Sequence, residues 1–249
     1  IVAGRPGIGK TVVATNLATN ISINSKKTVA LFNLEMGAEQ LINRMIASVG
    51  GIDQHKLQTG YFNESDWNKF TKATAELSNS KIYFDDTPSL SIGELKSKCR
   101  KLASSEDGLD VIIIDYLQIL TSNKNYQGNR QQEVADISRS LKQLALELKV
   151  PIIALAQLRR PIEQKKGDQR PTMNELRESG QIEQDADIIV LLYREDYVDK
   201  TKAIDNNTTI MEFNLEKNRN GVAGRKIELL YNKNLSRLLN KGKEINETN

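Results

Sequence analysis

Cysteine is nearly missing from this chain: Cys99 stands alone among 249 residues. One thiol excludes an internal disulfide and suits a reducing compartment, so a cytoplasmic location is expected. It sits at helical spacing from Leu95 and Leu102, which predicts core packing as its role. Histidine is as scarce, with only His55, in a polar segment that gives it no role. With no Cys/His cluster there is no ligand set for zinc. No stretch approaches the ~20 apolar residues of a membrane-spanning helix, so no membrane partner is expected. The net charge of +3 is too small to argue for nucleic acid, and any such contact must come from local basic segments. Nothing resembles a signal peptide. Ile1-Val2-Ala3 reads as the middle of a strand, so the chain is expected to begin inside a longer protein. There is no internal repeat, and no Pro/Gly-rich linker divides the chain.

What is present is an alternation of short apolar runs and amphipathic segments. Val29–Phe32, Val111–Ile114, Ile152–Leu155 and Ile188–Leu192 read as buried strands. Such Val/Ile-rich runs suit a parallel sheet covered on both faces. Val134, Ile137, Leu141, Leu144, Ala145 and Leu148 share one helix face, and that helix ends before Pro151. Ser91 with Glu94 forms a capping-box pattern that opens the helix carrying Cys99. The alternation predicts an α/β fold with a mostly parallel central sheet flanked by helices. Residues 121–131 and 160–174 are polar and partly basic, and read as mobile loops. After Tyr193 the pattern turns to β-hairpins: Thr209–Leu215, a turn through Asn220-Gly221, then Ile227–Tyr231. Residues 240–249 read as a frayed polar tail.

Gly4-Arg5-Pro6-Gly7-Ile8-Gly9-Lys10-Thr11 fits the complete phosphate-loop pattern G-x-x-x-x-G-K-[ST]. The glycines let the backbone turn tightly and aim its N–H groups at phosphate oxygens. The following helix, Lys10 to about Ile23, adds the positive end of its dipole. Lys10 is expected to reach the β- and γ-phosphates and Thr11 to ligate Mg²⁺. Asp115 closes the run Val111–Ile114, at the carboxyl end of a buried strand where open α/β sheets bind ligands. Beside a phosphate loop it is the expected partner of Mg²⁺ through water.

Glu35 ends the run Val29–Leu34 in the same way and is the best local candidate for a base or water-positioning group. A solvated strand-end glutamate is the plain alternative. Gln157 follows the run Ile152–Leu155; its amide suits sensing of a γ-phosphate, but an ordinary loop glutamine fits the pattern equally. Lys217 and Arg219, two apart at the end of a β pattern, point the same way. They serve either to solvate exposed sheet or to stabilise charge on a phosphoryl group, and on pattern alone solvation is favoured.

Several stretches together resemble one family. "GRPGIGKT", "NLEMG", "VIIIDYLQIL", "ISRSLKQLALELKVPIIALAQL", "RPTMNELRESGQIEQDADIIVLLYRED" and "EKNRNG" are similar to the C-terminal ATPase domain of DnaB-type replicative DNA helicases, in that family's order. The resemblance implies a RecA-like P-loop core, residues 1–239, that works as a ring of six. ATP would lie at subunit interfaces and single-stranded DNA would thread the channel. It also implies roles: Lys10 and Thr11 on phosphate and Mg²⁺, Glu35 as catalytic base, Asp115 as the second acidic motif, and Gln157 as the coupler to the DNA loops. Lys217 and Arg219 become a cationic finger inserted by the neighbouring subunit, which reverses the preference for solvation. Arg44 falls where a γ-phosphate contact is expected, and Arg177, Glu178 and Gly180 match the channel-lining loop. The family's N-terminal domain and linker helix, which help build the ring and bind primase, are expected to lie outside these 249 residues. Primase and the helicase loader are expected to act through or near that region. Two other readings share the core: a RecA- or clock-type ATPase that orders a filament or ring without unwinding, and a non-enzymatic nucleotide-binding assembly module.

Overall fold

A computed structural model describes residues 1–241 except Asn125, residues 160–168 and Asn206; for Arg177, Glu178, Ser179 and Lys200 it describes the backbone only. Nine strands form one sheet in the order β3-β2-β4-β5-β1-β6-β7-β8-β9. The parallel part holds β1 (Val2–Gly4), β2 (Val29–Asn33), β3 (Ile82–Asp85), β4 (Val111–Asp115), β5 (Ile152–Gln157) and β6 (Ile188–Tyr193). The antiparallel flank is β7 (Thr208–Asn218), β8 (Arg225–Asn232) and β9 (Arg237–Asn240).

The strands bury both faces because successive side chains alternate between them. On one face Leu31, Ile113 and Leu155 meet Ala14 and Ala18 of α1 (Lys10–Thr19) and Leu41 and Met45 of α2 (Ala38–Gly50). The opposite face carries Ala30, Phe32, Ile112, Ile114, Ala154 and Ala156. There they pack on α5 (Ile92–Ala103), through Leu95 and Cys99, and on α6 (Arg130–Leu148), through Ile137, Leu141 and Leu144. Each such buried Leu or Ile contributes on the order of 1.5–3 kcal/mol. The core role expected of Cys99 is met, and burial pushes its thiol up to about 12. A short helix, α3 (Gln54–Thr59), and a longer one, α4 (Glu64–Ser78), pack beside α2 over Ile46, Ile52 and Ala73.

Local signals account for the helix ends. The Ser91 hydroxyl accepts from the Glu94 N–H at 3.2 Å, and Glu94 accepts from the Ser91 N–H at 2.9 Å, which closes the expected capping box. Helix α6 stops at Lys149 in the left-handed region, two residues before Pro151. The phosphate-loop helix is α-helical only to Thr19 and continues as a π-turn over Asn20–Asn24.

Three sequence expectations change. The hairpin strands are longer than the apolar pattern, and the turn takes residues 219–224 rather than two, because Gly224 donates back to the Leu215 carbonyl at 2.7 Å. Strand β5 runs on to Gln157, so that residue ends the strand instead of following it. The start of the 121–131 loop is tied to α6, with Ser122 donating to Glu133 and Asp136 and Lys124 paired with Asp136. Strands β3 and β9 carried no clear pattern, being short and only partly buried. Much of the 160–174 stretch and residues 242–249 lie outside the described residues.

Candidate nucleotide-binding site

Strand β1 ends at Gly4, in the middle of the sheet between β5 and β6, and the chain turns through residues 5–9 into α1. Gly9 has φ of 114°, a conformation that L side chains rarely adopt, so any other residue would strain the turn. The first N–H groups of α1 have no partners within the helix and point at the loop, which makes an anion site. From below, the Arg194 guanidinium donates to the Ile8 carbonyl at 3.2 Å and to Asp196 at 3.1 Å. Asp196 also accepts from Thr209 and pairs with Lys233, each at 2.7 Å. This buried cluster ties the phosphate loop to the antiparallel flank.

A cleft of ≈310 Å³ opens over the loop, lined by Pro6, Gly7, Gly9, Lys10, Thr11, Val12, Glu35, Met36, Arg44, Gln54, Gln157, Tyr231 and Ser236. The fold thus brings together Pro6, Gly7, Gly9, Lys10, Thr11, Glu35, Arg44 and Gln157 of the residues picked from the sequence. Gly4, Arg5, Ile8 and Asp115 support it instead: the Lys10 amine donates to the Gly4 and Arg5 carbonyls at 3.2 and 3.3 Å, and Ile8 packs against Leu192 and Met211. The Arg5 guanidinium pairs with Glu175 at 3.2 Å.

Lys10 is 7% exposed. Burial lowers its amine from the ordinary value, and Asp115 and then Glu35 oppose that shift. Asp115, at the end of β4, is 1% exposed, and neither carboxylate oxygen has a well-formed hydrogen bond. Burial raises its pKa, Glu35 adds to the rise, and the nearby Thr11 hydroxyl, Lys10 and Arg44 oppose it. Two buried, unpartnered oxygens beside Thr11 fit a site for a hydrated divalent cation brought in with phosphate.

Sequence reading missed several residues that hold this arrangement. The Gln118 side chain grips the backbone of Gln157 at both ends, donating to its carbonyl at 3.1 Å and accepting from its N–H at 3.0 Å. Its place three residues after Asp115 was the available signal. The Asn33 side chain accepts from the Glu35 N–H at 3.2 Å and the Met36 N–H at 3.3 Å. An Asn closing an apolar strand ahead of a turn was readable as an Asx-turn. Arg194 and Tyr231 had no signal, since their contacts join distant segments.

Lys217 and Arg219 lie outside the cleft. They do point the same way: Lys217 donates to the Glu183 carbonyl at 2.6 Å, and Arg219 to Asp187 at 2.8 Å and the Gln184 carbonyl at 3.0 Å. Those carbonyls belong to the end of α7 (Gly180–Asp185), where cations are favoured. Gly180 opens α7 directly after a 3₁₀ segment, Met173–Ser179; the side chains of Arg177 and Glu178 lie outside the described residues. Among the described residues no helix is long and apolar enough to cross a membrane.

A buried lysine on a glycine turn, a helix N-terminus and an acidic strand end at the carboxyl edge of a parallel sheet define a P-loop nucleotide-binding protein. Comparison narrows the class. The family model described as "DnaB-like helicase C terminal domain" matches residues 1–240. The chain is 49% identical over 240 residues to the replicative DNA helicase DnaC of Bacillus subtilis, covering 96% of this chain and 52% of that protein. It is 47% identical over 247 residues to DnaB of Geobacillus stearothermophilus, covering 99% of this chain and 53% of that protein. The chain therefore spans about half the length of these relatives. A solved structure of an ATPase domain superposes with a TM-score of 0.88 at 40% identity, covering 96% of this chain and 83% of that one. A DnaB-like replicative helicase, described with its interactions with primase, superposes at 0.87 with 38% identity, covering 96% and 56%. The chain belongs to the DnaB-like helicase C-terminal domain family, and its fold is the RecA-like core of those ATPase domains.

Proposed function

We propose that residues 1–239 form the motor domain of an ATP-dependent replicative DNA helicase, which hydrolyses ATP to translocate on single-stranded DNA and unwind duplex. Asn240, expected in the tail, closes β9 and belongs with the domain, and residues 241–249 would be a tail. The observation that carries the reading is the gathering of Lys10, Thr11, Glu35, Arg44 and Gln157 on one cleft, with Asp115 behind it. Family membership supplies the DNA substrate.

In this reading the loop N–H groups meet phosphate oxygens, and the Lys10 amine exchanges the Gly4 and Arg5 carbonyls for them. Thr11, and Asp115 by way of water, would hold Mg²⁺, which when bound would neutralise charge on the phosphates. Glu35 accepts a proton from the attacking water as the new O–P bond forms and ADP leaves. Gln157 meets the γ-phosphate at the end of β5 and relays its presence to the DNA loops, and Arg44 adds a cationic contact. Lys217 and Arg219 serve the neighbouring subunit in a homo-hexamer. The Arg177 side chain and the backbone N–H groups of Arg177, Glu178 and Gly180 grip the DNA phosphates without reading bases, so binding should fall steeply with salt. Primase and the helicase loader would act through or near the part of the protein outside this chain.

Glu35→Gln in the full-length protein tests the enzyme reading. ATP binding should persist while turnover and unwinding of a forked duplex are lost. Unaltered turnover would show that Glu35 is not the base, and turnover without DNA stimulation or unwinding would favour a RecA- or clock-type ATPase.

A further inference from the structure

We propose that Asn33 is a positioning residue for hydrolysis, which sets the direction of Glu35; this rests on the reading of Glu35 as the base. Asn33 closes β2 and is 1% exposed. Glu35 lies two residues further on, in a bend outside any strand or helix, so no regular backbone ladder fixes where its side chain leaves the chain. The Asn33 carbonyl oxygen supplies that constraint by accepting from both the Glu35 and Met36 N–H groups. Leu34, between them, donates to the Asp115 carbonyl at 2.9 Å, so the turn is tied to the acidic strand as well.

The other half of the amide points to the same role. Two backbone donors require oxygen on their side, so the orientation of the amide is set by chemistry and its NH₂ must face the other way. That nitrogen is buried and has no partner. Asn33 pairs in register with Asp115 on the adjoining parallel strand, which places both side chains on one face of the sheet. A buried amide donor without a partner costs about 1–3 kcal/mol, and structures retain such groups at functional positions. Here it stands beside two carboxylate oxygens that also lack partners. Asn33 thus holds the turn of the proposed base and stands in register with the proposed metal carboxylate.

The test is a double-mutant cycle on the full-length protein, with kcat and KM for ATP measured in the presence of single-stranded DNA. Asn33→Ala should lower kcat roughly ten- to a hundredfold, the scale of a small misplacement of a reacting group. Its KM and its affinity for a fluorescent ATP analogue should stay within twofold. Asn33→Ser, whose hydroxyl can accept the same backbone donors, should recover most of the lost kcat. In a Glu35→Gln background, Asn33→Ala should produce no further loss, because it acts through the group already disabled. Asn33→Leu keeps the buried volume and replaces the alanine variant if that one melts too low to assay. Wild-type kcat in Asn33→Ala, no rescue by Ser, or an equal loss in both backgrounds overturns the positioning role alone. Undiminished turnover in Glu35→Gln overturns the assignment of the base, and this inference with it.

Discussion

Arg5, inside the phosphate loop, forms a nearly buried ion pair with Glu175, two residues ahead of Arg177 in the proposed DNA loop. The two side chains are 11% and 8% exposed, and Arg5 donates to Glu175 from Nε and Nη2 at 3.2–3.3 Å. The phosphate loop and the proposed DNA segment are therefore joined by direct contact.

Glu175→Ala should cost about 2–3 kcal/mol, since it strands a largely desolvated guanidinium. Chemical denaturation would read that loss. In ATPase assays the same variant should lose several-fold of its stimulation by single-stranded DNA. Stimulation equal to wild type would limit the pair to a structural role.

The proposed trans finger makes a mixing prediction. Lys10→Ala protein lacks its own phosphate contact but carries an intact Arg219, and Arg219→Ala protein has the reverse defect. Each alone should be nearly inactive, because an absent finger costs ~10³–10⁵ in rate in related systems. An equimolar mixture under ring-forming conditions should recover part of the DNA-stimulated ATPase. No recovery in assembled mixed rings would rule out action in trans.

Gln118→Ala should uncouple Gln157 without removing any side chain that lines the cleft. It releases both ends of the Gln157 backbone, at a cost of roughly 1–3 kcal/mol for the polar groups left unpaired. ATP affinity should hold within about threefold, and DNA-stimulated turnover should fall about tenfold or more. A parallel loss of ATP affinity would instead mean that Gln118 shapes the binding pocket.

Asp115 yields a prediction with a worked sign. Burial raises its pKa in the folded chain, so the protonated form is favoured by folding. The associated stability is fully present below the ordinary value of 3.8 and is lost as pH rises through the folded pKa. Asp115→Asn should therefore be more stable than wild type at pH 7 without nucleotide, while binding Mg²⁺–ATP poorly. A gain on the order of 1 kcal/mol would read as ~2–4 °C in Tm. The difference should vanish in acid, and a variant that melts lower than wild type at neutral pH would contradict the account.

The fold and the cleft were legible in the sequence to different depths. Buried parallel strands such as Val111–Ile114 are apolar throughout, so their pattern announced itself, and the phosphate loop is constrained residue by residue by its glycine turn. Short strands on the periphery, β3 and β9, bury too little to leave a period. Residues that act by holding others were the ones missed. Gln118 and Arg194 are defined by partners 39 and 186 positions away, and no local pattern encodes a contact of that span. Asn33 was missed as well, although its turn is local and its residue type is characteristic of one.

Strand β7 has a mechanical consequence. Its beginning, at Thr209, touches the Asp196 cluster that braces the phosphate loop, while Lys217 stands near its other end. Eleven residues of strand make a lever about 35 Å long. A tilt of about 5° at the pivot would swing its tip by about 3 Å over such a span. In the proposed ring that would be enough to seat or withdraw a cation, so occupancy of one site would be transmitted as leverage to the neighbouring subunit.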